Sequence, residues 1–400
     1  MDPQTISIGV DDLDLDLFES QYIVPQGISY NSYIIADQKI AILDTVDQRK
    51  ADAWRANLQA ALQGRQPDYL VAHHLEPDHA ALIADTLQRY PQLQLVCSAQ
   101  AAKMLPNFFE DFPFANRLLV VKEGDTLSLG QHTLQFIAAP MIHWPEVIMS
   151  YDSHSRTLFS ADAFGKFGAL QYETIQTGDD TAAIAQNWPC EARRYYFNIC
   201  GKYGTQVQNV LKKINNFPVE TICPLHGPAL SGTALQQALR LYNTWSTYQP
   251  ETDGILIAHA SIHGGTAQAA EHLAQLLRQR GATKVVVSDL CRDDLAEVIE
   301  DAFRYPTVVL AAASYDAGIF PPMHNFLHHL QIKNYQKRRF AIIENGSWAP
   351  TAARVIKTMI EPMKDCQLIQ PIVTIHSRLH KTDEPALAEL ADHLVEKSKI

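Results

Sequence analysis

The segment His74-Leu75-Glu76-Pro77-Asp78-His79 places four potential metal ligands within six residues, directly after the apolar run Tyr69–Ala72. Three more such side chains also follow apolar runs: His143 after Leu134–Pro140, Asp162 after Leu158–Ala161, and His226 after Thr221–Leu225. Alternate side chains of a strand share a face, so His74, Glu76 and Asp78 are expected to point together. His79 opens a helical pattern and is expected to turn in from the other side. His73 is out of phase and reads as a non-ligand. Four imidazoles and three carboxylates, with no thiolate, suit Fe, Mn or Zn and argue against iron–sulfur or copper(I) chemistry. Seven ligands are too many for one tetrahedral zinc, but they suit two metals sharing a bridging carboxylate. Two divalent ions carry +4 and three carboxylates return −3, so one hydroxide would make the site neutral and cheap to bury.

A second constellation begins at Ser261-Ile262-His263-Gly264-Gly265-Thr266, between an apolar run and a helical pattern. Two hydroxyls, backbone N–H groups freed by the glycines and a helix N-terminus would make a phosphate cradle. No lysine of the triphosphate-binding kind is present, so a monophosphate is expected. Two more loops, Ala313-Ser314-Tyr315-Asp316-Ala317-Gly318 and Asn345-Gly346-Ser347-Trp348, follow later strands, and each carries an aromatic residue. Such loops suit a flat aromatic ring held by apolar faces and a few backbone hydrogen bonds.

The elements that must position these groups differ between the two halves. The first half is strand-rich with short connections: Tyr33–Ile35, Ile40–Leu43, Asp68–Ala72, Leu93–Cys97, Leu118–Val121, Leu134–Ala138, Val147–Ser150 and Leu158–Ser160. Helical patterns at Asp52–Leu62 and Ala80–Tyr90 imply sheets covered by helices. The turn-rich stretch Gln249–Gly254 reads as a linker. Beyond it, strands at Ile255–Ala260, Lys284–Val287, Thr307–Ala313, Phe340–Glu344 and Pro371–Ile375 alternate with helical patterns. That alternation predicts a doubly wound parallel sheet, which binds ligands at the carboxyl ends of its strands. The expected domains are residues 1–250 and 251–400.

Composition sets outer limits. At 46% hydrophobic and 19% charged, the 400-residue chain reads as an ordinary globular protein of more than one domain. A net charge of −11 disfavours nucleic acid. No run approaches the roughly 18 apolar residues of a membrane span. The acidic stretch Met1–Glu19 lacks the form of a signal peptide, so a cytoplasmic location is expected. The six cysteines form no C-x-x-C pair, and they read as free thiols in a reducing compartment.

The run from His74 to His79 resembles the H-x-H-x-D-H signature of metallo-β-lactamase-fold hydrolases, with Glu76 in place of the second histidine. With His143, Asp162 and His226, that substitution resembles the flavodiiron proteins, and the likeness extends over essentially the whole chain. It implies a metallo-β-lactamase-like αββα sandwich followed by a flavodoxin-like sheet, with two Fe ions and FMN as cofactors. By resemblance, His74, Glu76 and His143 serve one iron, Asp78, His79 and His226 the other, and Asp162 bridges them. Ser261, His263, Gly264, Gly265 and Thr266 would hold the FMN phosphate. Ser314, Tyr315, Asp316, Ala317, Gly318, Gly346, Ser347 and Trp348 would border the ring. Gly265 departs from the asparagine common in the family, and the third loop has one glycine fewer. Tyr195 and Tyr196 resemble a segment near the diiron pocket, where one would donate a hydrogen bond to substrate and plain packing is the alternative. The implied reaction is reduction of dioxygen to water or nitric oxide to nitrous oxide. Electrons would come from a separate protein, such as a rubredoxin or a flavin-linked reductase (a deazaflavin donor in some relatives). A head-to-tail homodimer, or a dimer of dimers, would bring one subunit's FMN beside the other's irons. The leading alternative is a binuclear zinc hydrolase carrying a flavodoxin module. An added carboxylate stabilises a higher metal oxidation state and so favours redox iron over that alternative.

Overall fold

The computed structural model describes residues 4–110, 112–172 and 180–396. Its chain divides into two compact units: residues 1–196 with 205–243, and residues 197–204 with 244–400.

The first unit contains two mixed sheets. One runs in the order Gln4–Ser7, Tyr33–Ala36, Ile40–Leu43, Tyr69–Val71, Gln94–Ser98 and Leu118–Val121. The other runs Thr126–Ser128, Thr133–Ala138, Ile148–Asp152, Thr157–Phe159, Thr221–Cys223 and Leu230–Ser231. The period of two decides which side chains meet. Ile35, Ala41, Leu43, Val71 and Val96 of the first sheet pack in one core with Leu134, Phe136, Ile148 and Phe159 of the second. Ile34, Ile42 and Leu70, on the alternate positions, are equally buried. Helices Ala51–Leu62 and Ala99–Phe108 pack against the first sheet. Burial on both faces explains why the central strands read as unbroken apolar runs rather than alternating ones.

The expected helix over Ala80–Tyr90 is two pieces, Pro77–Ala80 and Ile83–Arg89. Pro77 occupies the first helical turn, where its missing N–H costs nothing.

The second unit is a parallel sheet in the order Val285–Asp289, Ile255–Ala260, Thr307–Tyr315, Arg339–Asn345, with Gln367–Leu368 and Val373–Ile375 both pairing with Arg339–Asn345. Helices Gly265–Gln279 and Glu384–Glu396 cover one face through Ala269, Leu273, Leu277, Leu387, Leu390 and Leu394. Helices Leu295–Arg304, Pro321–Ile332 and Ala352–Ile360 also pack on these strands and on one another. Adjacent parallel strands joined through helices give the doubly wound arrangement of a flavodoxin-like sheet. Among the described residues, no helix is long and apolar enough to cross a membrane.

Candidate metal centre and flavin loops

Four loops at strand ends deliver the candidate metal-binding side chains. The strand Tyr69–Val71 stops before His74, and the chain reaches Glu76 as loop. Asp78 and His79 then sit in the helical turn Pro77–Ala80. Strand alternation is therefore not what gathers His74, Glu76 and Asp78; a loop and a helical turn do it. His143 follows Thr133–Ala138, Asp162 follows Thr157–Phe159, and His226 follows Thr221–Cys223. The last loop is held from a distance by Asn31, whose Nδ2 donates to the carbonyls of Pro224 at 2.8 Å and Gly227 at 2.7 Å.

The side chains converge in two groups. His74, Glu76, His143 and Asp162 form one, and Asp78, His79 and His226 form the other; within each, one potential ligand atom per residue lies within 4.8 Å of the rest. Asp162 faces both. Its Oδ2 lies 3.3 Å from His74 Nε2 and 3.2 Å from His143 Nε2, while its Oδ1 lies 3.2 Å from His79 Nε2 and 3.8 Å from His226 Nε2. Glu76 Oε2 stands 2.9 Å from His143 Nε2, and Asp78 Oδ2 stands 3.3 Å from both His79 and His226 Nε2.

Two features point to cations. Both oxygens of Asp78, Oδ1 of Asp162 and Nδ1 of His79 are buried yet lack a hydrogen bond of acceptable geometry among the described residues. Such groups are costly unless something satisfies them. Secondly, Nε2 of His79 and His226 lie 3.1 Å apart. His226 Nδ1 lies 2.6 Å from the Ser29 carbonyl, which can only accept, so Nδ1 donates there and Nε2 is left facing His79 Nε2, two imidazole nitrogens placed where one cation could take both.

The protonation balance carries the same demand for positive charge. Burial works against a charged imidazole, yet the carboxylates raise His79, push His74 well above its ordinary value and push His143 up to about 9. Burial likewise opposes charge on Glu76, but His143 and His74 hold it down at about 2. Asp162 is held well below the ordinary carboxylate range by the same imidazoles, again against burial. Without metal, protons take the cations' place. The all-nitrogen-and-oxygen donor set fits two divalent ions sharing Asp162.

His73, next to His74, is turned elsewhere: Nδ1 lies 2.5 Å from Asp44 Oδ2 and Nε2 lies 2.8 Å from Ser150 Oγ. Tyr195 and Tyr196 are successive residues of the helix Thr181–Ile199, so they project about 100° apart. Tyr195 packs its ring 5.6 Å from that of His226, and Tyr196 packs on Tyr242 at 5.0 Å. Phe18 also meets His226 edge-on at 5.3 Å, and Trp144 meets His74 at 5.2 Å. The sequence reading passed over Glu146, whose Oε1 accepts from His74 Nδ1 at 2.8 Å and from the Leu75 amide at 2.9 Å. The signal available was position alone: a carboxylate three residues after His143.

In the second unit, the three predicted loops emerge at carboxyl ends of adjacent strands. Gly264, at φ +86°, caps the helix Gly265–Gln279, and its N–H donates to Ser261 Oγ at 3.1 Å. Ile262 and His263 are exposed, and Thr266 is buried, where its hydroxyl accepts from Asn345 Nδ2 at 3.2 Å. Asp316 and Ala317 form a two-residue turn between Tyr315 and Gly318, both with positive φ. Ser314 Oγ is engaged by the amides of Thr351 and Ala352 at the start of the helix Ala352–Ile360. Ser347 Oγ meets Ser377 Oγ at 2.5 Å, and Asn345 clasps the Ser377 backbone through both its amide atoms. Ser377, in the loop after Val373–Ile375, thus joins the group; no glycine or aromatic residue marked it in the sequence. Tyr315 and Trp348 stand exposed beside these loops, and a Cβ at Gly264 would meet only open space. An open backbone cradle flanked by exposed aromatics fits a phosphate and a flat ring.

The sequence pattern of the ODP family beta lactamase matches residues 28–227, half of the chain. A diflavin flavoprotein A 1 of Nostoc sp. is 31% identical over 392 residues, covering 95% of this chain and 64% of that protein. An anaerobic nitric oxide reductase flavorubredoxin of Salmonella typhi is 27% identical over 350 residues, covering 86% of this chain and 71% of that protein. This chain therefore spans under two thirds of the length of the first of these relatives. The solved rubredoxin oxygen:oxidoreductase of Desulfovibrio gigas has the same fold, with a TM-score of 0.90 at 22% identity over 99% of this chain and 97% of that one.

Proposed function

We propose, for a chain that belongs to the ODP family of β-lactamases and within it to the flavodiiron proteins, that it reduces dioxygen to water, nitric oxide to nitrous oxide, or both, with electrons entering from an external donor. The observation that carries this reading is Asp162, whose two oxygens face the two imidazole clusters separately. When bound, two Fe ions supply electrons in pairs to a diatomic, and FMN couples a one-electron donor to that demand. His74, Glu76 and His143 would hold one ion, and Asp78, His79 and His226 the other. Phe18 and Trp144 pack edge-on against His226 and His74, so apolar rings border both imidazoles. Tyr195, packed on His226, is the tyrosine assigned to hydrogen-bond the substrate, whereas Tyr196 packs on Tyr242.

For the flavin we assign Ser261, His263, Gly264, Gly265 and Thr266 to the phosphate. Ser314, Tyr315, Asp316, Ala317, Gly318, Gly346, Ser347 and Trp348 border the ring, with Ser314 contributing backbone because its hydroxyl is engaged. The functional domains would divide at the linker Gln249–Gly254, and the assembly would be a head-to-tail dimer or a dimer of dimers. A rubredoxin or a flavin-linked reductase would be the donor, and the cytoplasm the location.

The test is metal and flavin content of anaerobically purified protein, by elemental analysis and acid-released flavin. About two irons and one FMN per chain are expected, followed by turnover with dioxygen, nitric oxide or both. Two zincs from iron-replete cells, or no flavin, would reject the reading and favour a hydrolase.

A further inference from the structure

The two metal clusters have matched donor sets. Each offers two imidazoles and one carboxylate of its own, and Asp162 lends one oxygen to each. What differs is the next layer out. His226 Nδ1 donates to a neutral backbone carbonyl of Ser29, and His79 Nδ1 has no hydrogen-bond partner among the described residues. His74 Nδ1 instead donates to the carboxylate of Glu146 at 2.8 Å. Glu146 is buried, and its other oxygen, Oε2, has no hydrogen-bond partner among the described residues.

We propose that Glu146 is a positioning residue that makes the two metal positions unequal, strengthening the hold of the His74–Glu76–His143 position on its ion. The inference rests on the reading that each cluster holds an ion. A carboxylate drawing on the Nδ1 proton fixes the tautomer and makes Nε2 a stronger donor. It also changes the charge count. Glu76, Asp78, Asp162 and Glu146 together bring −4 against the +4 of two divalent ions, so the site is neutral without a hydroxide. That extra charge sits on one side only. Glu146 also accepts the Leu75 amide at 2.9 Å, so a role limited to pinning the loop is the rival explanation.

The experiment titrates Co2+ into the metal-free full chain, following its visible absorption, in the parent, E146Q and S98A proteins. Ser98 Oγ donates to the Glu146 backbone carbonyl at 2.7 Å, so S98A loosens the segment without removing charge. Two steps of unequal affinity are expected in the parent. In E146Q the tighter step should weaken roughly 10–100-fold, with the weaker step and the metal-free melting temperature unchanged. S98A should leave the ratio of the two steps intact. An unchanged tighter step in E146Q would overturn the proposal. So would equal weakening of both steps with a lower melting temperature, which marks loop pinning alone. Should E146Q fail to fold, E146D withdraws the carboxylate while keeping the charge; the same selective weakening is expected, and its absence overturns the idea. Two equal steps in the parent reject this inference alone, whereas fewer than two ions reject the two-ion reading beneath it. Neither readout depends on flavin or on turnover.

Discussion

The candidate metal clusters and the loops proposed for the flavin make opposite use of their side chains. Around Asp162, buried polar atoms face one another and several have no hydrogen-bond partner among the described residues. Around Gly264, polar side chains are already joined to one another or to backbone: Thr266 accepts from Asn345, Asn345 clasps Ser377, Ser347 meets Ser377, and Ser314 accepts from a helix start. What the second region offers a ligand is chiefly backbone, a few hydroxyl hydrogens and exposed aromatic surface. One site is therefore defined by which residues it contains, and the other by where the main chain can be approached.

The sharpest break of this contrast is at Asp162. D162N should abolish binding of both ions, a loss exceeding the roughly 100-fold upper range for an outer partner. H226A should spare the other cluster, and metal analysis of the two variants separates the cases. In the flavin unit, a Cβ at Gly265 would stand 2.0 Å from the Ser377 carbonyl oxygen. G265A should therefore abolish flavin retention. G264A, where there is open space but φ is +86°, should cost only about 1–2 kcal/mol of stability in denaturant unfolding.

Acidity gives a graded test of the first region. His143 titrates at about 9 in the metal-free protein: burial lowers it, but Asp162 and Glu76 more than offset this. A proton occupies the imidazole below that value and must leave before a metal binds. Metal affinity should therefore fall as pH drops from about 9 toward about 6, by up to about tenfold per unit for each proton displaced. Calorimetric titration with Zn2+ in buffers of differing ionisation heat counts those protons; a flat profile would contradict the assignment. The smallest effect belongs to the second region. Ala317 has positive φ in a turn that favours glycine. In flavin-free protein A317G should gain about 0.5–1 kcal/mol, strain relief of about 1–2 kcal/mol offset by glycine's entropy.

The sequence exposed the central strands of the three main sheets well, because burial on one or both faces dictates apolar runs. Strand ends also pointed to His143, Asp162 and His226, since polar ligands must leave the core where a strand stops. His74, Glu76 and Asp78 do stand near one another around Asp162, but a loop and the helical turn at Pro77 bring them there, not the strand alternation expected. Glu146 escaped notice because its partner His74 lies 72 residues away and no local pattern joins them. Ser377 escaped because Asn345 clasps its backbone N–H and carbonyl, contacts any residue could make. Contacts made through the main chain leave little trace in residue type.

Trp348 is 91% exposed, whereas Trp54, Trp188 and Trp245 are each 1% exposed. Indole emission shifts to the red in water and is extinguished by soluble quenchers. Trp348 should therefore dominate the red, quencher-accessible part of the protein's ultraviolet fluorescence. Flavins absorb where indole emits, so occupancy of the neighbouring loops would dim this one residue selectively. The chain carries an optical gauge on the rim of its own cradle, readable without any added label.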